Sequence, residues 1–441
     1  MNSYIKKFRV ILATICLIAP FVISIYAQEI LQDEPRIAGV ITEGRERIRL
    51  GLPPFETKRK DSKLETGAVE LRSILIADLK TSGIFNLIPE ERYGWIEHSV
   101  NGSPNFEGWI SVEAESLVTG SIDMEDGKLV FEGRVFDTKS KQMRIGRRYR
   151  GEPDQLKLIA HTFANEIVRQ FTGKKGFFNT SIVFVSDRTK LKELYISDFD
   201  GTNVTQITNL KSIVLFPSIS PDKKTIYFTS FHEGMPRIFK VSSSAGGGLQ
   251  PLKDSVNGDI TPAVSPDGKK IAFSSSRPGN SEIYVMDLQS GELDRLTYHF
   301  GIDATPAWSP NGKSIIFTSD RSGMPNLYIT DEKGLETTRL TYELQYCDHA
   351  DWSPDGDRIV FTGRKQGYFN VFVKDLRNED IYQLTINSRN NEDPSWSPDG
   401  RKIVFSSDRT GLYQLYLMNA DGSDQRQITN SGNNTDPRWS K

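Results

Sequence analysis

The sequence predicts a six-bladed, all-β propeller preceded by a small α/β (α+β) N-terminal domain. Three observations carry that reading. The tetrapeptide Ser220-Pro221-Asp222-Lys223 recurs as Ser265-Pro266-Asp267-Gly268, Ser309-Pro310-Asn311-Gly312, Ser353-Pro354-Asp355-Gly356 and Ser397-Pro398-Asp399-Gly400, at steps of 45, 44, 44 and 44 residues. Each copy holds four short strand-like stretches, and a repeat of that length and content is one propeller blade. The array also starts and stops inside a repeat, so its two ends can complement each other.

The chain has 441 residues. Residues 1–27 read as an export leader. Lys6, Lys7 and Arg9 precede an apolar run over 10–25, and Ala27-Gln28 offers the cleavage point. The run is short for a spanning helix, which needs roughly 20 residues. Cys16 is followed by Leu17, which does not suit lipoprotein cleavage, and Cys347 then has no disulfide partner in the mature chain. Losing three cations takes the net charge from -2 to about -5. A mildly acidic chain without a basic stripe excludes nucleic acid as a partner.

Residues 28–44 read as a polar tail that can pair as a strand or, alternatively, as a disordered linker left by signal cleavage, and 36–172 as the α/β domain. A strand is expected over 49–55, and a helix over 65–82 from its apolar spacing, stopped by Gly83. A strand follows at 84–89. The stretches 117–122 and 128–137 read as a hairpin turning at Asp126-Gly127. A second amphipathic helix spans 156–171, closed by Gly173.

The propeller is expected over 181–441. Each repeat opens with a short first strand such as Pro306-Ala307-Trp308. In the turn after it, Pro presets φ, Asp bonds back to the backbone and Gly accepts positive φ. Second strands, rich in β-branched and aromatic residues, begin near Ile182, Ile226, Ile271, Ile315, Ile359 and Ile403, which gives six blades. A polar turn such as Asp320-Arg321-Ser322-Gly323 leads to the third strand. A short fourth ends at pairs such as Leu296-Thr297 or Ile428-Thr429. The first copy lacks its leading strand and 436–440 is a leading strand alone; joined, they close the ring and leave no open edge.

No Gly-x-Ser-x-Gly elbow, phosphate-binding glycine loop or His-Glu-x-x-His motif is present, so no enzyme, cofactor or metal is expected. Asp198-Phe199-Asp200-Gly201 and Asp421-Gly422-Ser423-Asp424 read as strand-connecting turns without the distal Glu of a calcium loop. His98, His232, His299 and His349 stand singly in loops and make no metal-ligand spacing. His161, alone on the second helix, is read as packing at the domain junction.

The repeat pattern of Asp, Pro, aromatic, Ser-Pro-Asp-Gly and Ser-Asp-Arg resembles that of the TolB family and of some peptidase propellers. Residues 158–185 resemble the junction of the two TolB domains, and Leu71-Arg72, Leu79 and Ser82-Gly83-Ile84-Phe85 resemble the family's first helix and following strand. The resemblance spans nearly the whole mature chain. It implies a monomeric, non-enzymatic periplasmic adaptor of the Tol-Pal system. It also implies binding of the lipoprotein Pal and of TolA and possibly other Tol components, with a part in outer-membrane integrity and envelope constriction.

Topology places the fourth-to-first connections, 212–216, 257–261, 301–305, 345–349, 389–393 and 432–436, at one channel mouth. Five carry an acid: Asp259, Asp303, Asp348, Asp393 and Asp436. Two readings stand side by side. Each acid bonds its own turn, or the five form a carboxylate ring that focuses negative potential. The resemblance makes this loop set the Pal face, with Phe216, Asn257, Asp259, Thr261, Asp303, Ala304, Thr305, Asp348, His349, Glu392, Asp393, Asn434, Thr435 and Asp436 as candidate contacts. It makes the tail, through Glu29, Ile30, Arg36, Ile37 and Val40, a TolA contact by strand addition. Two rival readings are a small molecule or sugar bound in the channel and an enzyme working through channel-mouth Asp residues.

Overall fold

The computed structural model describes residues 47–96, 99–100 and 103–441. The leader with its Ala27-Gln28 cleavage site, the tail residues Glu29, Ile30, Arg36, Ile37 and Val40, and His98 all lie outside the described residues. Among those described, no helix is long and apolar enough to cross a membrane.

The α/β domain is built on a mixed sheet. Its strands are β1 (Ile48–Gly51), β2 (Glu56–Thr57), β3 (Phe85–Leu87), β6 (Ser116–Glu125), β7 (Lys128–Asp137) and β8 (Met143–Gly151), with a two-stranded ribbon of β4 (Ser99–Val100) and β5 (Ser103–Pro104) beside it. The sheet order is β3-β1-β6-β7-β8, with β2 paired to β6. The helices are α1 (Ser62–Thr81), α2 (Phe106–Ser111) and α3 (Leu156–Thr172). Asp61 caps α1 by accepting from the Lys63 amide, and Leu64, Ala68, Leu71, Leu75 and Leu79 form its buried stripe. Gly173, at φ 75°, ends α3 in the left-handed conformation that favours glycine. Asp126 and Gly127 both take positive φ, as a tight hairpin turn requires. The sequence reading stopped short of β8, because only Ile145 along that strand is fully buried and its four arginines hide the alternation. It also missed α2 and the β4–β5 ribbon.

Six four-stranded sheets follow. Their inner strands are Val214–Ile219, Asp259–Val264, Asp303–Trp308, Cys347–Trp352, Asn391–Trp396 and Asn434–Trp439, defining blades one to six. Each packs against the next around the axis, and the sixth against the first. Blade six is the composite. Asn434–Trp439 pairs antiparallel with Ser181–Ser186, Asn434 opposite Ser186 and Trp439 opposite Ile182. This is the closure the two partial repeats imply.

Every blade carries one aromatic pair across its middle strands. Phe184–Tyr195, Phe228–Phe239, Phe273–Tyr284, Phe317–Tyr328, Phe361–Phe372 and Phe405–Tyr416 stack with centroids 5.7–6.3 Å apart. Such cross-strand pairs add stability beyond the area they bury. The Ser-Pro turns close as expected: Ser220, Ser265 and Ser397 Oγ donate to Asp222, Asp267 and Asp399 at 2.6–2.7 Å, and Ser309 to Asn311. Blade four departs, since Ser353 bonds Asp357 while Asp355 pairs with Lys174 from the interdomain segment.

An arginine clamp recurs in four blades. Arg277 and Arg321, just after the second strand, reach Asp259 and Asp303 at the head of the inner strand at 2.6 and 2.7 Å. Arg188 and Arg409 donate in the same way to Asn434 and Asn391. Each guanidinium also lies over its blade's aromatic pair, as Arg188 does over Tyr195 at 4.6 Å and Arg409 over Tyr416 at 4.4 Å. Blades one and four have His232 and Lys365 at the corresponding place, and there the inner strand begins with apolar Val214 and Cys347. Burial pushes the Cys347 thiol up to about 12, which keeps it an unreactive core residue.

The two domains meet along the Ser-Pro-turn end. Phe177 and Phe178 pack on Phe199, and Trp439 packs edge-on to Phe177 while its Nε1 donates to Thr180 Oγ1 at 2.7 Å. His161 is buried there against Phe199, as the sequence reading has it. Its partner acid comes from far along the chain: Asp78 of α1, with 2.6 Å between Oδ2 and Nδ1. Burial pushes the Asp78 carboxyl up to about 6.

Trp439 thus belongs to both the closing strand and the domain junction, so Trp439→Ala is expected to cost about 3–5 kcal/mol in denaturant unfolding; a loss under about 1 kcal/mol would show that this strand does not hold the ring. A second prediction concerns Asp303, fully buried with Oδ1 unpartnered and its carboxyl pushed up to about 6 by burial. Its protonated form is the one the fold favours, so its contribution is complete below pH ~4 and is lost as pH rises to ~6. Asp303→Asn, which copies Asn391 and Asn434, should therefore gain about 2–3 kcal/mol on wild type between those pH values. A pH-independent difference between the two urea midpoints would refute this.

Candidate functional site

The inner strands begin, and the outer strands end, on the end of the ring opposite the Ser-Pro turns. The fourth-to-first connections and the hairpins between second and third strands all lie on that face, because successive strands in each sheet are antiparallel.

The predicted residues occupy three rungs of the inner strands. The first rung is Val214, Asp259, Asp303, Cys347, Asn391 and Asn434, all fully buried. Asp348, Glu392, Ala304 and Thr435 stand on the second. The third is Phe216, Thr261, Thr305, His349, Asp393 and Asp436, and every one has φ between 48° and 55°. The register shifts at this rung in all six blades. Left-handed backbone at Phe or Thr costs about 1–2 kcal/mol per residue. A bulge that re-aims a side chain at the same place in six blades is a designed feature.

A ring of five equivalent carboxylates, one of the two readings of these acids, does not form. Asp259 and Asp303 share the first rung and are sealed inside their blades by the arginine clamp, Asp348 points between blades three and four, and Asp393 and Asp436 share the third rung. One residue of offset along a strand turns a side chain to the other side of the sheet, and the acids sit at three different offsets. The turn-bonding reading holds for Asp259, which accepts from the Val256 amide at 2.8 Å.

The third rung has two halves. Blades one to three supply Phe216, Thr261 and Thr305, and blades four to six supply His349, Asp393 and Asp436. Phe216 stacks on His349 at 5.8 Å, joining blades three positions apart around the ring. His349 Nδ1 lies 3.2 Å from Asp348 and 3.6 Å from Asp393. Burial opposes its charge, but Asp348 and Asp393 outweigh that and raise the imidazole to about 9. Asp348 accepts from Thr305, Thr318 and the His349 amide, and the imidazolium and these donors overcome its burial and hold its carboxyl far below the usual range.

The ligand atoms of His349, Asp393 and Asp436 come within 4.8 Å of one another. His349, which has no metal-ligand spacing in the sequence, thus stands in a group of three side chains that could hold a metal ion. The three residues lie about 44 positions apart in sequence, and ring closure brings them together. One imidazole and two carboxylates suit a divalent cation, which would have to displace the proton His349 carries.

Among the remaining predicted residues, Asn257 is exposed, Ala304 is half-buried, and Glu392 accepts from the Tyr413 hydroxyl. Sequence reasoning missed the apolar rim around them. Val256, Tyr298, Phe300, Tyr342 and Ile386 in the fourth-to-first connections stand exposed, as do Leu191, Met235, Met324, Tyr368 and Leu412 at the second-to-third hairpins. Phe300 is 86% and Tyr298 74% exposed. At the Ser-Pro-turn end of the described propeller, Leu335 is the one comparable residue. The available signal was an aromatic in a turn otherwise built of polar residues.

Because His349 is held near 9 when folded against about 6.5 when unfolded, its contribution is complete below about pH 6.5 and is lost as pH rises through about 9. The stability difference between wild type and His349→Gln should therefore shrink by about 3 kcal/mol between pH 6 and 10. Parallel pH profiles for the two proteins would show that this imidazole carries no proton in the fold.

Comparison with known proteins agrees with this architecture. Residues 168–441 match the TolB beta propeller domain and residues 39–144 the TolB amino-terminal domain. The chain is 38% identical over 214 residues to a protein TolB homolog of Chlorobaculum tepidum, covering 48% of each. It is 38% identical over 199 residues to another from Chlorobium chlorochromatii, covering 45% of this chain and 44% of that one. It thus spans about half the length of the curated relatives it matches. A crystal structure of TolB from Acinetobacter baumannii superposes with a TM-score of 0.78 at 25% identity, over 90% of this chain and 97% of that one. With the propeller match alone covering more than half of its residues, the chain belongs to the TolB family.

Proposed function

We propose that this protein is a non-enzymatic periplasmic adaptor of the Tol-Pal system. Its loop face binds the lipoprotein Pal and its N-terminal tail binds TolA, so that it links the outer membrane to inner-membrane Tol proteins. Its physiological role is in outer-membrane integrity and in envelope constriction during division. The observation that carries this reading is the concentration of exposed apolar side chains on one end of the ring. Exposed apolar groups gathered on one face mark a protein-binding surface, and Tyr and Met are enriched in such surfaces.

The rim is supported from beneath. Arg295 lies over the Tyr298 ring at 4.4 Å and Arg339 over Tyr342 at 4.7 Å. Both arginines belong to short outer strands, so the rings are held by the sheet and lose little freedom on binding. Inside the rim, the charged half of the third rung consists of half-buried His349 and the buried carboxylates of Asp393 and Asp436. Asp259 and Asp303 support that surface from within through their clamps.

The test is titration calorimetry of the full chain with purified Pal. Tyr298→Ala combined with Phe300→Ala is expected to weaken binding at least tenfold, about 1.4 kcal/mol or more. Leu335→Ala, at the opposite end, is expected to leave it unchanged. Undiminished affinity in the double variant, or no binding of Pal by wild type, would reject the assignment of this face.

A further inference from the structure

Toward the Ser-Pro-turn end, away from the third rung, the channel holds a cavity of about 320 Å³. That is within the range of small-ligand sites, about 300–1,000 Å³. It is lined by the prolines of four Ser-Pro turns and by Trp308, Trp352 and Trp439, so its walls are flat rings. On the fifth rung of the inner strands, five blades present Ser, Ala or, once, Asp351; blade six presents Arg438.

Arg438 is half-buried, and among the described residues its side chain has neither a hydrogen-bond nor an ion-pair partner. The clamp arginines behave differently: Arg188, Arg277, Arg321 and Arg409 are each bonded to a first-rung side chain. The one acid in the cavity lining is not available to it. Asp351 accepts from Lys441 Nζ at 2.6 Å, from Ser395 Oγ at 3.1 Å and from the Trp396 amide at 2.8 Å. The rigid guanidinium fork of Arg438 matches a carboxylate with two parallel hydrogen bonds.

We propose that this cavity is a binding site for a small organic carboxylate bearing a flat apolar ring. The carboxylate takes two N–H bonds from Arg438, and the ring lies against the prolines and indoles. A volume of about 320 Å³ fits a small molecule. The site lies at the end of the channel opposite the loop face and does not depend on the partner reading above.

The test is calorimetric titration of the full chain with benzoate, with benzamide as the neutral isostere and with sulfate as a bare anion. Benzoate is expected to bind at least tenfold more tightly than either of the others, and Arg438→Gln is expected to abolish that preference. Because Arg438 has no partner to lose, Arg438→Gln should unfold no more easily than wild type and should bind Pal unchanged. The proposal is overturned if benzamide or sulfate matches benzoate, if Arg438→Gln keeps the preference, or if benzoate does not bind up to its solubility limit. Reduced stability of Arg438→Gln would also overturn it, by showing that the guanidinium already has a structural partner.

Discussion

The pairing of Asn434–Trp439 with Ser181–Ser186 joins residues some 250 positions apart, and it turns a row of sheets into a ring. An open array would end in two unpaired strand edges, which template aggregation. Closure instead gives every inner strand two neighbours and brings the third rungs of opposite blades close enough for Phe216 to stack on His349. It also carries Trp439 against Phe177 and Thr180, so the join that completes the ring is the one to which the α/β domain attaches.

Within that ring, each inner strand is held at its head and bent two residues later. The head is fixed by the arginine clamp in four blades and by an apolar residue in the other two. The bend is the left-handed residue of the third rung, usually followed by Pro. Fixing both points places six side chains around the axis, with the backbone strain held by the surrounding sheets. The result is a rigid end face with a charged interior and an apolar rim. Rigidity lowers the ordering cost of binding, which buried area alone does not reveal. The opposite end of the channel has flat apolar walls and one unsatisfied cation, so the two mouths suit chemically different ligands.

The sequence carried the fold almost completely. The Ser-Pro-Asp-Gly turns, the Ile-x-Phe second strands and the two partial repeats are local signals, read by backbone propensity and period, and each corresponds to an observed element. The helices 62–81 and 156–172 were equally legible from their apolar spacing and terminal glycines. Where one face of an element is solvated by long charged side chains, as in β8, the alternation is masked and the reading ended early.

The site was legible only in position. The loop set and most of its residues were found by topology, but not which acids are buried, which face the axis and which touch. Asp259 and Asp393 both follow a fourth-to-first connection, yet they stand two rungs apart, which puts one inside a blade and the other on the bulged third rung. By itself the sequence determined the number of blades, their closure and the end on which the loops cluster, because these follow from patterns within about 44 residues. Only the tertiary structure decided the meeting of His349 with Asp393 and Asp436, the burial of Asp303 and the isolation of Arg438. Each of those depends on contacts between blades, and such contacts are set by ring geometry.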